Sequence, residues 1–212
     1  DYTLSDVGKT FTYTIEEQAE NTPGVVYDTH VETVTVTVED AGEGKLKLTP
    51  SYGDNVPVFK NTRKIPLTVI KKSTDGSLLP GAEFTLYKDD GNGVYDDNDQ
   101  PATVYSDANL TAAIPGAVVT TDGNGEAHYY GLMPGTDYWL KETKAPAGYN
   151  LDTAAHLISV AHDGTVSTKD SGGTTAALPL KDGVAAITIA DESIPNLPHT
   201  ACLLYTSDAA DD

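Results

Sequence analysis

The chain has 212 residues, of which 32 are acidic and 13 basic, for a formal charge of −19. That balance excludes nucleic acid and anionic membranes as partners, since both are held by clustered Lys and Arg. Hydrophobic residues make up 39% of the chain, enough for packed cores and too many for a disordered polymer.

In chain order, Asp1-Tyr2-Thr3 reads as the approach to a strand rather than as a secretory leader. The first strand is expected from Thr10 to Ile15. Thr33-Val34-Thr35-Val36-Thr37-Val38 alternates without a break, which puts the valines on one face and the threonines on the other. Lys45 to Leu48 follows. After a boundary near Asn61 to Pro66, strands are expected at Pro66 to Lys71, Ala82 to Tyr87, Ala102 to Tyr105 and Ala127 to Tyr130. The last three are Tyr138 to Glu142, His156 to Val160 and Ala185 to Ala190. Asp75-Gly76, Asp122-Gly123-Asn124-Gly125, Asp163-Gly164 and Asp182-Gly183 supply turn residues that tolerate positive φ. No segment carries a helical stripe, and no apolar run approaches the ~18 residues of a membrane span. The class is therefore all-β, with two immunoglobulin-like β-sandwich modules in tandem. Residues 1–63 form the first module, which is short for a sandwich and is expected to be truncated at its N-terminus. Residues 64–193 form the second.

Strand alternation singles out three polar groups. In Leu67-Thr68-Val69-Ile70-Lys71, the period of two places Leu67, Val69 and Lys71 on one face. Tyr138, Leu140 and Glu142 share a face in the same way, as do Ile187, Ile189 and Asp191. Three apolar stripes thus end in an amine and two carboxyls. If those faces are core faces all three groups are buried, and burial disfavours their charged forms. A neutral amine beside a neutral carboxylic acid is a nucleophile beside an electrophile, and the second carboxyl is placed to shuttle protons. The product is an amide between side chains. The alternative is that Lys71 snorkels from a strand end.

The motifs also carry a resemblance. LTVIKKSTDGSLLPGAEFTLY (Leu67 to Tyr87) and YWLKETKAPAGY (Tyr138 to Tyr149) resemble the opening strands and the glutamate motif of the B-type repeat of collagen adhesins, the SpaA-type pilin module. The resemblance covers residues 66 to 191. It implies that Lys71 is the reactive lysine, Glu142 the catalytic glutamate and Asp191 the acceptor. The acceptor is usually Asn in this family, so the bond would release water rather than ammonia. DVGKTFTYTIEE (Asp6 to Glu17), the alternating valine strand and VFKNT (Val58 to Thr62) resemble the streptococcal pilin isopeptide-linkage domain. That likeness implies Glu17 as catalytic acid, with Glu16 the alternative if the register slips by one, and Asn61 as acceptor. The lysine partner is expected upstream of Asp1.

LPHTA, comprising Leu197, Pro198, His199, Thr200 and Ala201, resembles the LPxTG wall-sorting motif with Ala in place of Gly. Sortase cleavage after Thr200 would join the chain to peptidoglycan or to another pilin subunit, with residues 194–201 as the sorting segment. The string Cys202 to Asp212 resembles the conceptual translation of a sequencing adapter and is set apart from fold reasoning. Without it the chain has no cysteine, and its charge falls from −19 to −16 as Asp208, Asp211 and Asp212 leave. Asp89 to Asp99 is rich in oxygen ligands and reads as a solvated acidic hairpin, with calcium as the alternative. His30, His128, His156, His162 and His199 are scattered, with no metalloprotease or hydrolase spacing.

These features imply a structural subunit or stalk of a Gram-positive pilus or wall-anchored surface protein, extracellular and not an enzyme. No cofactor and no metal are assigned. The alternative is an adhesin that binds a host protein or glycan directly.

Overall fold

The computed structural model describes residues 1–53, 56–169 and 173–195. Within them the chain is strand and turn, with single-turn 3-10 helices at Leu4–Asp6 and Pro115–Ala117. No helix among the described residues is long and apolar enough to cross a membrane.

The first unit contains β1 (Thr10–Glu16), β2 (Val25–Val26), β3 (Val31–Gly42), β4 (Lys45–Ser51) and β5 (Thr62–Arg63). Strands β1, β3 and β4 form an antiparallel sheet with β3 in the middle, and β2 and β5 form a two-stranded ribbon. The valine stripe of β3 does what its alternation predicts. Val34 and Val38 are buried and lie opposite Tyr13 and Leu48 on the neighbouring strands. The apolar face is incompletely covered, because Tyr13 is 46% exposed and Ile15 40%.

The second unit contains β6 (Ile65–Ser73), β7 (Glu83–Lys88), β8 (Gln100–Pro101), β9 (Val118–Thr120), β10 (Glu126–Leu132), β11 (Thr136–Lys144), β12 (Ala155–Val160), β13 (Val166–Lys169), β14 (Thr175–Leu178) and β15 (Ala185–Asp191). One sheet has the order β10-β6-β15. The other runs β14-β13-β12-β11-β7-β8, with β9 also on β7. Leu67 and Val69 of β6, Phe84 and Leu86 of β7, Leu140 of β11 and Ile187 and Ile189 of β15 meet in one apolar core. β6 and β15 are the first and last strands of the unit, and they pair parallel, with Ile189 opposite Lys71 and Asp191 opposite Ser73.

The structure moves one expected strand. Ala102 to Tyr105 is not a strand, and the ladder against β7 is made one step earlier, by Gln100 and Pro101. Ala102 and Val104 are buried all the same. They are tied by single backbone bonds, Ala102 N–H to Leu86 O and Ile114 N–H to Val104 O, both 2.9 Å. Their alternation marked burial, not pairing.

Candidate functional site

β6 alternates buried and half-exposed residues along its length, and its buried set runs Ile65, Leu67, Val69, Lys71 and Ser73. β15 alternates buried and exposed residues, its buried set being Ala185, Ile187, Ile189 and Asp191. Lys71 and Asp191 therefore enter the core from adjacent strands of one sheet, and Glu142 enters from β11 in the facing sheet. Lys71 is 0% exposed, Glu142 1% and Asp191 2%.

The three groups converge. Lys71 Nζ donates to Asp191 Oδ1 in a short contact. Glu142 Oε1 lies 3.0 Å from the same nitrogen, as an ion-pair neighbour outside hydrogen-bond geometry. Asp191 Oδ2 is buried without a hydrogen-bond partner. The ring of Phe84, with its centroid 5.4 Å from Nζ, forms an apolar wall. Burial pushes the Glu142 carboxyl above its ordinary range, and the Asp191 charge adds to this. The Asp152 N–H and Lys71 pull the other way without cancelling it. A carboxyl shifted towards its neutral form, beside an amine and a second carboxyl, is the arrangement a proton shuttle requires.

The backbone holds these positions tightly. Lys71 N–H donates to Gly125 O at 2.8 Å, and Lys71 O accepts from Leu79 N–H at 2.9 Å. Gly125 sits in the Asp-Gly-Asn-Gly turn at φ +71°, and a Cβ there would lie 2.8 Å from Lys71 O. Only glycine lets that turn close over the lysine strand. Thr74 N–H to Asp191 O, 3.0 Å, fixes β15 at the same level.

In the first unit Asn61 Nδ2 donates to Glu17 Oε1 at 2.6 Å, and Asn61 Oδ1 accepts the Asp28 N–H at 3.0 Å. Glu17 Oε2 is buried without a partner. Glu16 instead carries an exposed side chain that accepts from Gln18 Nε2 at 3.3 Å, so it is Glu17 that reaches Asn61. No lysine forms an ion pair with Glu17 among the described residues.

The acidic hairpin has an internal explanation. Trp139, on the outer face of β11, is buried because the hairpin folds across it. Its Nε1 donates to Asp89 Oδ1 at 2.9 Å, and Tyr95 packs edge-on at 6.3 Å. Asp89 Oδ2 accepts the Gly91 N–H at 2.9 Å, and Asp99 accepts the N–H groups of Asp90 and Asp96. Asp89, Asp90 and Asp99 offer oxygens within 4.8 Å of one another, but those of Asp89 and Asp99 are engaged by the loop's own donors. Among the described residues, no histidine hydrogen-bonds Lys71, Glu142 or Asp191 directly. His30 pairs with Asp28, His128 with Thr68 and His156 with Asp152. Asp152 and His156 carried no functional signal in the sequence, although the Asp152 N–H bonds to Glu142. Residues 197–201 and 202–212 lie outside the described residues.

Comparison with known proteins gives two family matches. The SpaA prealbumin-like fold domain matches residues 66–173, and the FctA domain, described as Spy0128-like and isopeptide-containing, matches residues 1–64. No curated protein matches the chain. Among solved structures, a variant of the Bacillus cereus major pilin BcpA is 25% identical, with a TM-score of 0.37, over 61% of this chain and 29% of that one. The C-terminal fragment of the Lactobacillus rhamnosus GG pilus adhesin SpaC is 21% identical, with a TM-score of 0.48, over 82% of this chain and 60% of that one. The Corynebacterium diphtheriae major pilin SpaA is 14% identical, with a TM-score of 0.44, over 81% and 40%. The chain thus spans less than two thirds of each of these structures.

Proposed function

The chain belongs to the SpaA family of prealbumin-like fold domains, and from that premise we propose that it is a structural segment of a Gram-positive pilus or surface stalk, closed by an amide between Lys71 and Asp191. The observation that supports this most is the convergence of one amine and two carboxyls, all buried, near the C-terminal ends of β6 and β11 and at the end of β15. Three full charges in an apolar core are costly, and they do not balance, since two carboxylates face one ammonium. Condensation removes two of the three ionisable groups at once.

The reaction balances within the site. Lys71 enters as the neutral amine and Asp191 as the neutral acid, after one proton passes between them. The Lys71 Nζ lone pair attacks Asp191 Cγ to form the C–N bond. Glu142 Oε1, 3.0 Å from Nζ, then relays one of the two amine protons to the Asp191 hydroxyl, the Cγ–O bond breaks and water leaves, while the other proton stays on the amide nitrogen. Glu142 ends in its starting state, so it acts as a catalyst consumed in no step, and the chemistry is a single self-modification rather than turnover.

The first unit supports a parallel reading as a half-site. Glu17 hydrogen-bonds the Asn61 carboxamide, the Asp28 N–H polarises its carbonyl, and Glu17 Oε2 is left unpaired, as a lysine-accepting acid would be. Sortase joining through Thr200 to peptidoglycan or to other pilin subunits, and placement at the cell surface, belong to the same proposal.

Intact-mass spectrometry of the purified chain tests it. The expected mass is that of the encoded sequence less one water, with a branched peptide joining the Lys71 and Asp191 fragments after digestion. A folded chain of full encoded mass would overturn the amide.

A further inference from the structure

Glu142 has two carboxylate oxygens, and only one of them faces Lys71. Something must fix which. Glu142 Oε2 accepts the backbone N–H of Asp152 at 2.7 Å, and this leaves Oε1 turned towards Nζ. Asp152 lies between β11 and β12, outside either strand, so no ladder sets the direction of its N–H. Its own side chain does so. Asp152 Oδ1 accepts the Ala154 N–H at 2.9 Å, which closes a local turn, and Oδ2 accepts from His156 Nε2 at 2.7 Å. His156 is anchored in turn on β12, in register with Leu140, two residues before Glu142 on β11. The contacts form a closed ring from β11 to His156, to Asp152 and back to Glu142. The same loop also reaches the acceptor strand, where Asn150 N–H donates to Glu192 O at 2.9 Å, one residue past Asp191.

We infer that Asp152, braced by His156, is a positioning residue for the Lys71–Asp191 condensation, because it aims a backbone N–H at Glu142 Oε2 and so assigns proton transfer to Oε1. This rests on the amide proposed above. Burial pushes the Asp152 carboxyl up, but the bonds from His156 and Ala154 outweigh it and hold the group below its ordinary range, as an anchored acceptor requires. A shuttle oxygen misplaced by an ångström is expected to slow the step severely while leaving the fold intact.

The test follows bond formation in full-length chain made by cell-free translation, with intact mass read at intervals after synthesis is stopped. Asp152→Ala is expected to slow the loss of water by about tenfold or more. Asp152→Asn, which keeps an acceptor for the Ala154 N–H, is expected to restore most of the rate. His156→Ala is expected to fall between, with His156→Gln recovering. The His156 pair serves if Asp152→Ala does not fold, and His156→Ala condensing at the wild-type rate overturns the inference equally. The Tm of Asp152→Ala on a Lys71→Ala background measures the cost of the loop with no bond to form. A lowered Tm there, with bond formation at the wild-type rate, would show a structural brace only and would overturn the positioning role while leaving the amide intact. A wild-type chain that never loses water overturns both.

Discussion

Replacing Glu142 by Gln would isolate the proposed covalent link from the packing around it. Gln keeps the volume of Glu and an oxygen that accepts the Asp152 N–H, but it cannot carry a proton between Lys71 and the departing oxygen. What remains unbonded is Lys71 beside Asp191, one positive and one negative group, so the variant is not left with an unbalanced buried charge. The two residues are 120 positions apart. Closing a loop of that length removes about 16 cal/mol/K from the unfolded ensemble, which is about 5 kcal/mol at 25 °C. For a unit of about 130 residues, with an unfolding entropy of about 2.1 cal/mol/K per residue, Glu142→Gln is expected to melt about 15 to 20 °C lower than the wild type. Differential scanning calorimetry reads the shift, and intact mass on the same samples reads the bond. A Glu142→Gln chain that still loses one water in full would refute the shuttle. One that keeps its water yet melts with the wild type would refute the entropic estimate.

Asp191→Asn is expected to form the proposed bond as well and to hold the Tm within a few degrees, with ammonia lost in place of water. Mass spectrometry distinguishes the two leaving groups. Trp139→Phe removes the donor to buried Asp89 Oδ1 and part of the cover over β11, so a loss of about 2 to 3 kcal/mol is expected, with hydrogen exchange rising first at residues 89–99. In the first unit, the Asp28 side chain raises the His30 imidazole above 6.5 against a smaller opposing effect of desolvation. Asp28 is itself lowered from 3.8 to about 2, first by the Lys60 N–H and then by His30. The stabilisation from His30 is complete below its unfolded value and is lost as pH rises through the raised one. That from Asp28 is complete above 3.8 and is lost as pH falls towards 2. Protection factors around residues 28–30 and 60–61 are therefore expected to be highest between about pH 4 and 6.5 and to fall as pH rises through the raised His30 value. Unchanged protection across that range would remove His30 from the account.

The triad was legible because strand periodicity is a strict code. Once Leu67 and Val69 face a core, Lys71 must face it too, and the same holds for Asp191 after Ile187 and Ile189. The pairing partners were less legible. Ala102 and Val104 have the alternation of a strand but bury themselves through isolated backbone bonds, so the ladder falls on Gln100 and Pro101 instead. β13 and β14 are short, and Thr, Ser and Ala dominate them, which leaves little contrast between faces. Trp139 looked outward by parity and is buried because a loop fifty residues earlier folds over it, and no local pattern encodes that. Asp152 was invisible for a related reason. Its contribution is a backbone N–H, and only the placement of His156 shows where that group points.

The parallel pairing of β6 with β15 bears on mechanics. The chain enters the second unit at Ile65 and leaves it after Asp191, so a pull on its two ends slides the first strand against the last along their shared ladder. Backbone hydrogen bonds alone would have to resist that shear. With an amide from Lys71 to Asp191, tension would run along seven residues of β6, Ile65 to Lys71, cross through two side chains and exit at once. Residues 72 to 190, with nearly the whole core, would hang beside the line of force rather than in it. Such a unit would be close to inextensible, and it could be unfolded by heat without lengthening the chain that carries it.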